Sequence, residues 1–275
     1  GRGTWKSGAD PADYARLVIP TAAAIHESDP DARALLGALC RANMIFFAEL
    51  AEAGAFDVTD ALTYHCYTPS DKVMRDSIVA MRALTDLYKP GMPVIQGESG
   101  TQSRSGGHGA LRAGTWSERR QAKYMARHLI IDLLGGAEFT SYFSCMDMIE
   151  ALNGRSGDTA SWLDYGYFGV LGAEFDENGF AGGEYKPKMS YRTPQTLASA
   201  LSGEWQVRDL PIMPRPDVSK RIFGSDVNDF ETLSGGFVRP DGSKAYVYWH
   251  ASDLMTSEYE ATVTLHAAGV PGEVR

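Results

Sequence analysis

Three short stretches carry the residues best suited to chemistry: His65-Cys66-Tyr67, Tyr142-Phe143-Ser144, and Glu98 within Pro93-Val94-Ile95-Gln96-Gly97-Glu98-Ser99-Gly100. Each closes an apolar run, so each would deliver polar groups to the end of a strand. An imidazole, a phenol, a carboxylate and an aromatic shelf suit a reaction at the anomeric carbon of a sugar. A carboxylate can attack or stabilise that carbon, a Tyr or His hydrogen bond can keep it ionised and oriented, and aromatic faces can stack on a pyranose. Position alone leaves Glu98 equally open to a role as a capping or salt-bridged surface acid. Its glycine neighbours and the polar aromatic strand ends favour catalysis, with Gly97 and Gly100 expected to leave room for a ring to approach. Further on, Trp162, Tyr165, Tyr167 and Phe168 could add a sugar platform, or equally pack a loop.

Other chemistries fit less well. A serine hydrolase elbow needs Gly-x-Ser-x-Gly, and both Gly97-Glu98-Ser99-Gly100-Thr101 and Gly154-Arg155-Ser156-Gly157-Asp158 fail at the last position. Gly106-Gly107-His108-Gly109 lacks the Gly-Lys-Ser/Thr of a phosphate cradle and reads as a flexible, substrate-facing loop. The histidines, His26, His65, His108, His128, His250 and His266, show no metal spacing, and His128 in a helical stretch reads as structural. No metal or cofactor is implied.

The elements that must position these groups alternate between helix and strand. Asp10 can cap a helix with Pro11 at its first position, and apolar residues then recur at spacings of three and four through Ile25. A strand-like run at 34–40, a helix at 43–53, a strand at 61–67, a helix at 72–88 and a strand at 93–97 follow. Thr115 and Glu118 form a capping box for a helix carrying Tyr124, His128, Ile131 and Leu134 along one side. Residues 139–145 read as a fourth strand and 188–201 as a closing helix. Continuously apolar strands separated by helices indicate a parallel sheet covered on both faces, an α/β fold. Beyond Gly203, Pro211, Pro214 and Pro216 read as a linker. Short antiparallel strands then follow around 236–238, 245–249 and 261–265.

Composition narrows the partners. The chain of 275 residues is 44% hydrophobic and 22% charged, enough to bury a large core. Its net charge of -9 and lack of a basic block argue against nucleic acid. No apolar run approaches the roughly 20 residues of a membrane span. Cys40, Cys66 and Cys145 are odd in number and each lies in or at the end of an apolar run, so buried thiols are expected rather than disulfides.

The order of Ala61-Leu62-Thr63-Tyr64-His65-Cys66-Tyr67, helix, Pro93 to Gly100, helix, Phe139-Thr140-Ser141-Tyr142-Phe143 resembles strands six, seven and eight of a clan A glycoside hydrolase. These are retaining (β/α)8 barrels, and enzymes of families 39 and 5 are the nearest relatives by this resemblance. Phe168-Gly169-Val170-Leu171, Lys186-Pro187-Lys188-Met189-Ser190-Tyr191 and Thr196-Leu197-Ala198 resemble the closing of such a barrel. The resemblance implies a partial barrel, strands five to eight, over residues 1–203 and a β-sandwich-like domain over 204–275. It implies Glu98 as nucleophile and His65 and Tyr67 as strand-six residues lining the site, Tyr67 being the better hydrogen-bond partner. Tyr142 and Trp162 are the further substrate contacts expected. A β-linked oligo- or polysaccharide would be the substrate, cleaved by double displacement without a cofactor. The clan's acid/base is a Glu following an Asn, and no Asn-Glu pair occurs here. The chain is therefore expected to begin just after that residue, to be inactive alone and to leave two sheet edges open. The alternative is a non-catalytic carbohydrate-binding or structural protein on the same fold.

Overall fold

The computed structural model describes residues 8–149, 165–176, 181–216, 232–251, 254 and 262–269. Contacts divide the chain into two compact units, Gly1–Thr193 and Pro194–Arg275.

The first unit is built on four strands, β1 (Leu35–Leu39), β2 (Ala61–His65), β3 (Val94–Ser99) and β4 (Phe139–Tyr142), hydrogen-bonded in chain order. All three pairings are parallel. Helices α1 (Pro11–Ser28), α2 (Met44–Glu52), α3 (Asp71–Tyr88) and α4 (Glu118–Leu134) precede or connect them. Parallel neighbours require such crossovers, since no tight turn can return a chain to the same end of a sheet. Each helix begins on a side-chain cap that accepts otherwise orphaned backbone N–H groups. Asp10 accepts from Ala12 at 2.8 Å, Asn43 from Phe46, Ser70 from Val73 and Ser117 from Arg120, the last three at 3.3 Å.

The α4 cap corrects the expected capping box. Trp116 is buried and its indole N–H donates to the Leu111 carbonyl at 2.5 Å, which keeps 116 outside the helix and passes the cap to Ser117. Thr115 Oγ1 accepts instead from the Arg120 guanidinium at 2.8 Å. Glu118 Oε2 accepts the Met189 backbone N–H at 3.1 Å.

The core includes Leu36, Leu62 and Tyr64 from the sheet and Phe47, Leu50 and Ile78 from the helices, all fully buried. β2 reads as continuously buried through its first four residues, as a strand covered on both faces must. Among the described residues β1 and β4 each pair on one side only, and each exposes a large apolar residue, Leu35 and Phe139. After β4 come the short pair β5 (Met148–Ile149) and β6 (Tyr165–Gly166) and the antiparallel pair β7 (Leu171–Phe175) and β8 (Ala181–Pro187). Helix α5 (Met189–Ala200) follows.

The second unit contains the antiparallel strands β9 (Gln206–Val207), β10 (Ile212–Pro216), β11 (Thr232–Val238), β12 (Lys244–His250) and β13 (Val263–Ala267). The β11–β12 hairpin closes through Asp241, whose carboxylate accepts the Ser243 N–H at 2.8 Å. The expected proline linker is in fact β10, in register with β13 from Ile212↔Ala267 to Pro216↔Val263. A two-stranded sheet tolerates Pro214 and Pro216 because the side of β10 away from β13 needs no N–H donors. The cysteine expectation holds for one residue of three: all are free thiols, but only Cys66 is buried, while Cys40 and Cys145 are exposed. No helix among the described residues is long and apolar enough to cross a membrane.

Candidate functional site

The site forms where β2 and β3 end, and an irregularity in their pairing creates it. Tyr64 pairs with Gln96, but the next pair is His65 with Glu98, so Gly97 is an extra residue on β3. A bulge of this kind re-aims the side chain that follows it. A Cβ on Gly97 would lie 2.6 Å from Thr63 Oγ1, so any larger residue would force Thr63 to shift. Beyond the bulge the Cys66 N–H donates to the Glu98 carbonyl at 3.2 Å, extending the pairing past β2.

Three predicted residues are thereby brought together. The Tyr67 hydroxyl donates to Glu98 Oε1 at 2.5 Å, and His65 Nδ1 stands 3.6 Å from Glu98 Oε2. The Glu98 side chain is 37% exposed, open enough for a ligand to reach it. The Tyr67 ring meets Phe168 edge-on with centroids 6.5 Å apart, and Phe168 meets Phe143 in the same manner at 5.4 Å. Gly100 sits against this aromatic group, where an added Cβ would fall 1.9 Å from the Phe143 carbonyl oxygen. The two glycines therefore make room for the protein itself, for Thr63 and for the β4 end, rather than for a sugar ring as expected.

Tyr142 is placed differently from expectation. It pairs in register with Ser99, and its hydroxyl is sealed from solvent, with burial pushing the phenol up to about 12. It does not join the Glu98 group as a surface donor. Trp162 lies outside the described residues, as does Glu150. The Tyr167 ring lies beneath the Arg104 guanidinium, 3.8 Å from its centroid.

Behind β3 runs a buried polar chain that the sequence showed only in part. Ser99 Oγ donates to the Cys66 carbonyl at 2.6 Å and lies 2.5 Å from Tyr124 Oη and 3.3 Å from His128 Nδ1. His128 Nε2 reaches Asp132 Oδ2 at 3.0 Å and the Gln96 amide at 2.7 Å, and Thr140 Oγ1 donates to the same Asp132 oxygen at 2.9 Å. Tyr124, His128 and Asp132 stand four residues apart on α4, one above the next. The Tyr124 and His128 stripe was legible from its period; Asp132, a charged residue in that stripe, was the missed signal. Burial pushes the Tyr124 phenol well up and the Cys66 thiol up to about 11.

Other buried polar groups fix the loops around the site. Gln102 accepts the Tyr167 N–H at 2.8 Å and donates to the His108 carbonyl at 2.6 Å, so the glycine-rich loop is tied down from within. Gln121 donates to the carbonyls of Thr101 and Phe168, each at 3.0 Å. The buried Lys188 ammonium meets Asp147 at 2.5 Å and Ser103 at 2.8 Å. Burial pushes that ammonium down, and Asp147 pulls it back up. No pattern of spacing marked these residues, because their partners are far away in the chain. Among the described residues no group of His, Cys, Asp and Glu is arranged to hold a metal ion.

Fold and site together define an α/β protein whose parallel sheet presents a carboxylate, a phenol and an imidazole at one end. No family profile and no curated protein matches the chain. Among solved structures, a GH2 β-galacturonidase from Eisenbergiella tayi is similar at 16% identity and a TM-score of 0.47, over 69% of this chain and 30% of that one. Bacteroides uniformis β-glucuronidase 2 is similar at 14% identity and 0.48, over 93% of this chain and 30% of that one. A GH128 exo-β-1,3-glucanase from Aureobasidium namibiae is similar at 15% and 0.41, over 64% of this chain and 60% of that one. All three bear the names of glycoside hydrolases. The chain thus spans less than two thirds of the length of each.

Proposed function

We propose that this chain contributes the nucleophile half of a retaining glycoside hydrolase active site acting on a β-linked oligo- or polysaccharide. The observation that carries the reading is the 2.5 Å hydrogen bond from Tyr67 to Glu98 Oε1 at the carboxyl ends of adjacent parallel strands. Strand ends of this kind are where parallel α/β folds place reactive groups. A phenolic donor on one oxygen fixes the rotamer of the carboxylate. With Oε1 so engaged, Oε2 is the atom placed to attack the anomeric carbon.

In the proposed reaction the Glu98 oxygen forms a bond to that carbon as the glycosidic C–O bond breaks. The leaving oxygen takes its proton from a second carboxyl group about 5–5.5 Å away, which then activates water to release the sugar. Glu27, Glu49, Glu118 and Glu138 are poor candidates for that second group. Glu138 is paired with Arg33 at 2.5 Å and Glu118 accepts from Met189, while Glu27 and Glu49 lie on α1 and α2. The proposal places the acid/base outside the described residues and reads β1 to β4 as the second half of a (β/α)8 barrel.

A 2-fluoro glycoside with an activated leaving group tests the reading on the full-length protein. Covalent labelling of the peptide containing Glu98 supports it. Labelling of another carboxylate, or unchanged turnover in Glu98→Gln, overturns it. Carbohydrate binding with no labelling and no turnover would favour the non-catalytic alternative.

A further inference from the structure

Ser99, His128 and Asp132 follow one another with the connectivity of a hydrolytic triad, yet Ser99 is 1%, His128 2% and Asp132 1% exposed. The serine proton is directed at the Cys66 carbonyl rather than at the histidine. No substrate can reach this serine, so its use must be internal. We infer that Ser99 is a positioning residue that sets the Tyr67–Glu98 hydrogen bond, a role resting on the reading of Glu98 as the nucleophile.

Regular pairing of β2 with β3 ends at His65 and Glu98. Past that point two bonds hold the strand ends together: the Cys66 N–H to the Glu98 carbonyl at 3.2 Å, and Ser99 Oγ to the Cys66 carbonyl at 2.6 Å. They close a small ring whose members adjoin Tyr67 on one strand and include Glu98 on the other. The separation of the phenol and the carboxylate is therefore set one residue away from each. The hydroxyl of Ser99 is itself placed by Tyr124 Oη at 2.5 Å and by His128, which Asp132 and Thr140 orient in turn. Among the described residues, removing the Ser99 hydroxyl leaves the Cys66 carbonyl with only the longer 3.3 Å contact to Tyr124. The Cys66–Tyr67 segment can then move away from Glu98. A misplacement of about 1 Å at a reacting group costs on the order of 100-fold in rate.

The test reads the contact directly, through NMR of the full chain carrying 13C at tyrosine Cζ, with the Tyr67 signal assigned by Tyr67→Phe. Ser99→Ala should move that signal toward its position in Glu98→Gln, and Tyr124→Phe should move it less in the same direction. Ser190→Ala, which removes another buried hydroxyl bonded at 2.8 Å to Gln121, should leave it in place. A Tyr67 signal unmoved in Ser99→Ala, or moved equally by Ser190→Ala, overturns the inference; should Ser99→Ala fail to fold, the isosteric Tyr124→Phe decides. Fluoroglycoside labelling of Glu98 should slow about 10- to 100-fold in Ser99→Ala. Labelling elsewhere would remove the nucleophile reading while the spectroscopic result still judges the positioning role.

Discussion

Glu98 and Ser99 are adjacent on β3 and occupy opposite environments. The Glu98 side chain is 37% exposed and takes a single phenolic hydrogen bond, whereas Ser99 is 1% exposed and surrounded by Cys66, Tyr124 and His128. Both sit in constellations that resemble catalytic machinery. Access separates them: a carboxylate at the rim can meet a substrate, while a serine, histidine and aspartate sealed behind a strand can only hold that strand. Chemical identity alone would have ranked the sealed group at least as highly.

The comparison breaks most sharply at Glu98. Glu98→Gln in the full-length protein should lower kcat by about 10^4-fold or more without unfolding it, checked by turnover kinetics and circular dichroism. The sealed side should answer in stability instead. Asp132→Ala removes the carboxylate that His128 and Thr140 share in the buried chain and should cost about 1–3 kcal/mol in denaturant unfolding. Tyr67→Phe should lower kcat about 10- to 100-fold, the worth of one hydrogen bond to a charged group, with little change in melting temperature.

Alkaline titration should report on the sealed region. Burial raises the Cys66 thiol from 9.0 to about 11 and the Tyr142 phenol from 10.0 to about 12. The unfolded chain therefore loses these protons first. Each group's contribution is intact below its unfolded value and is lost as pH rises through its folded one, a window of about 9 to 12. The loss is on the order of 2–3 kcal/mol per group, read as a falling melting temperature that Cys66→Ala should partly flatten. The smallest effect is expected at the surface thiols. Cys40→Ser and Cys145→Ser should each change stability by less than about 0.5 kcal/mol, and both cysteines should alkylate before Cys66.

Much of the candidate site was legible because short-range patterns carried it. The apolar runs ending at His65 and Glu98 became β2 and β3, and Tyr67 meets the acid as the resemblance of these strand ends implied. The reading failed where two local signals competed, as at Thr115 and Ser117, where burial of Trp116 decided the cap. It failed again where hydrophobic context was taken for burial, at Cys40 and Cys145. The proline-rich stretch of β10 looked like a linker because the strand that tolerates it, β13, lies some 50 residues downstream.

By itself the sequence determined the alternation of helix and strand, the parallel α/β character and the delivery of Glu98 to a strand end. Periodicity and end signals act over a few residues, and those features need nothing longer. Tertiary structure decided that Gly97 is a bulge against Thr63, that the Tyr142 hydroxyl is sealed while the Glu98 carboxylate is open, and that Ser99, His128 and Asp132 are buried together out of reach of solvent. Each depends on contacts between residues distant in the chain, which fix exposure and register, and neither quantity is carried by residue type alone.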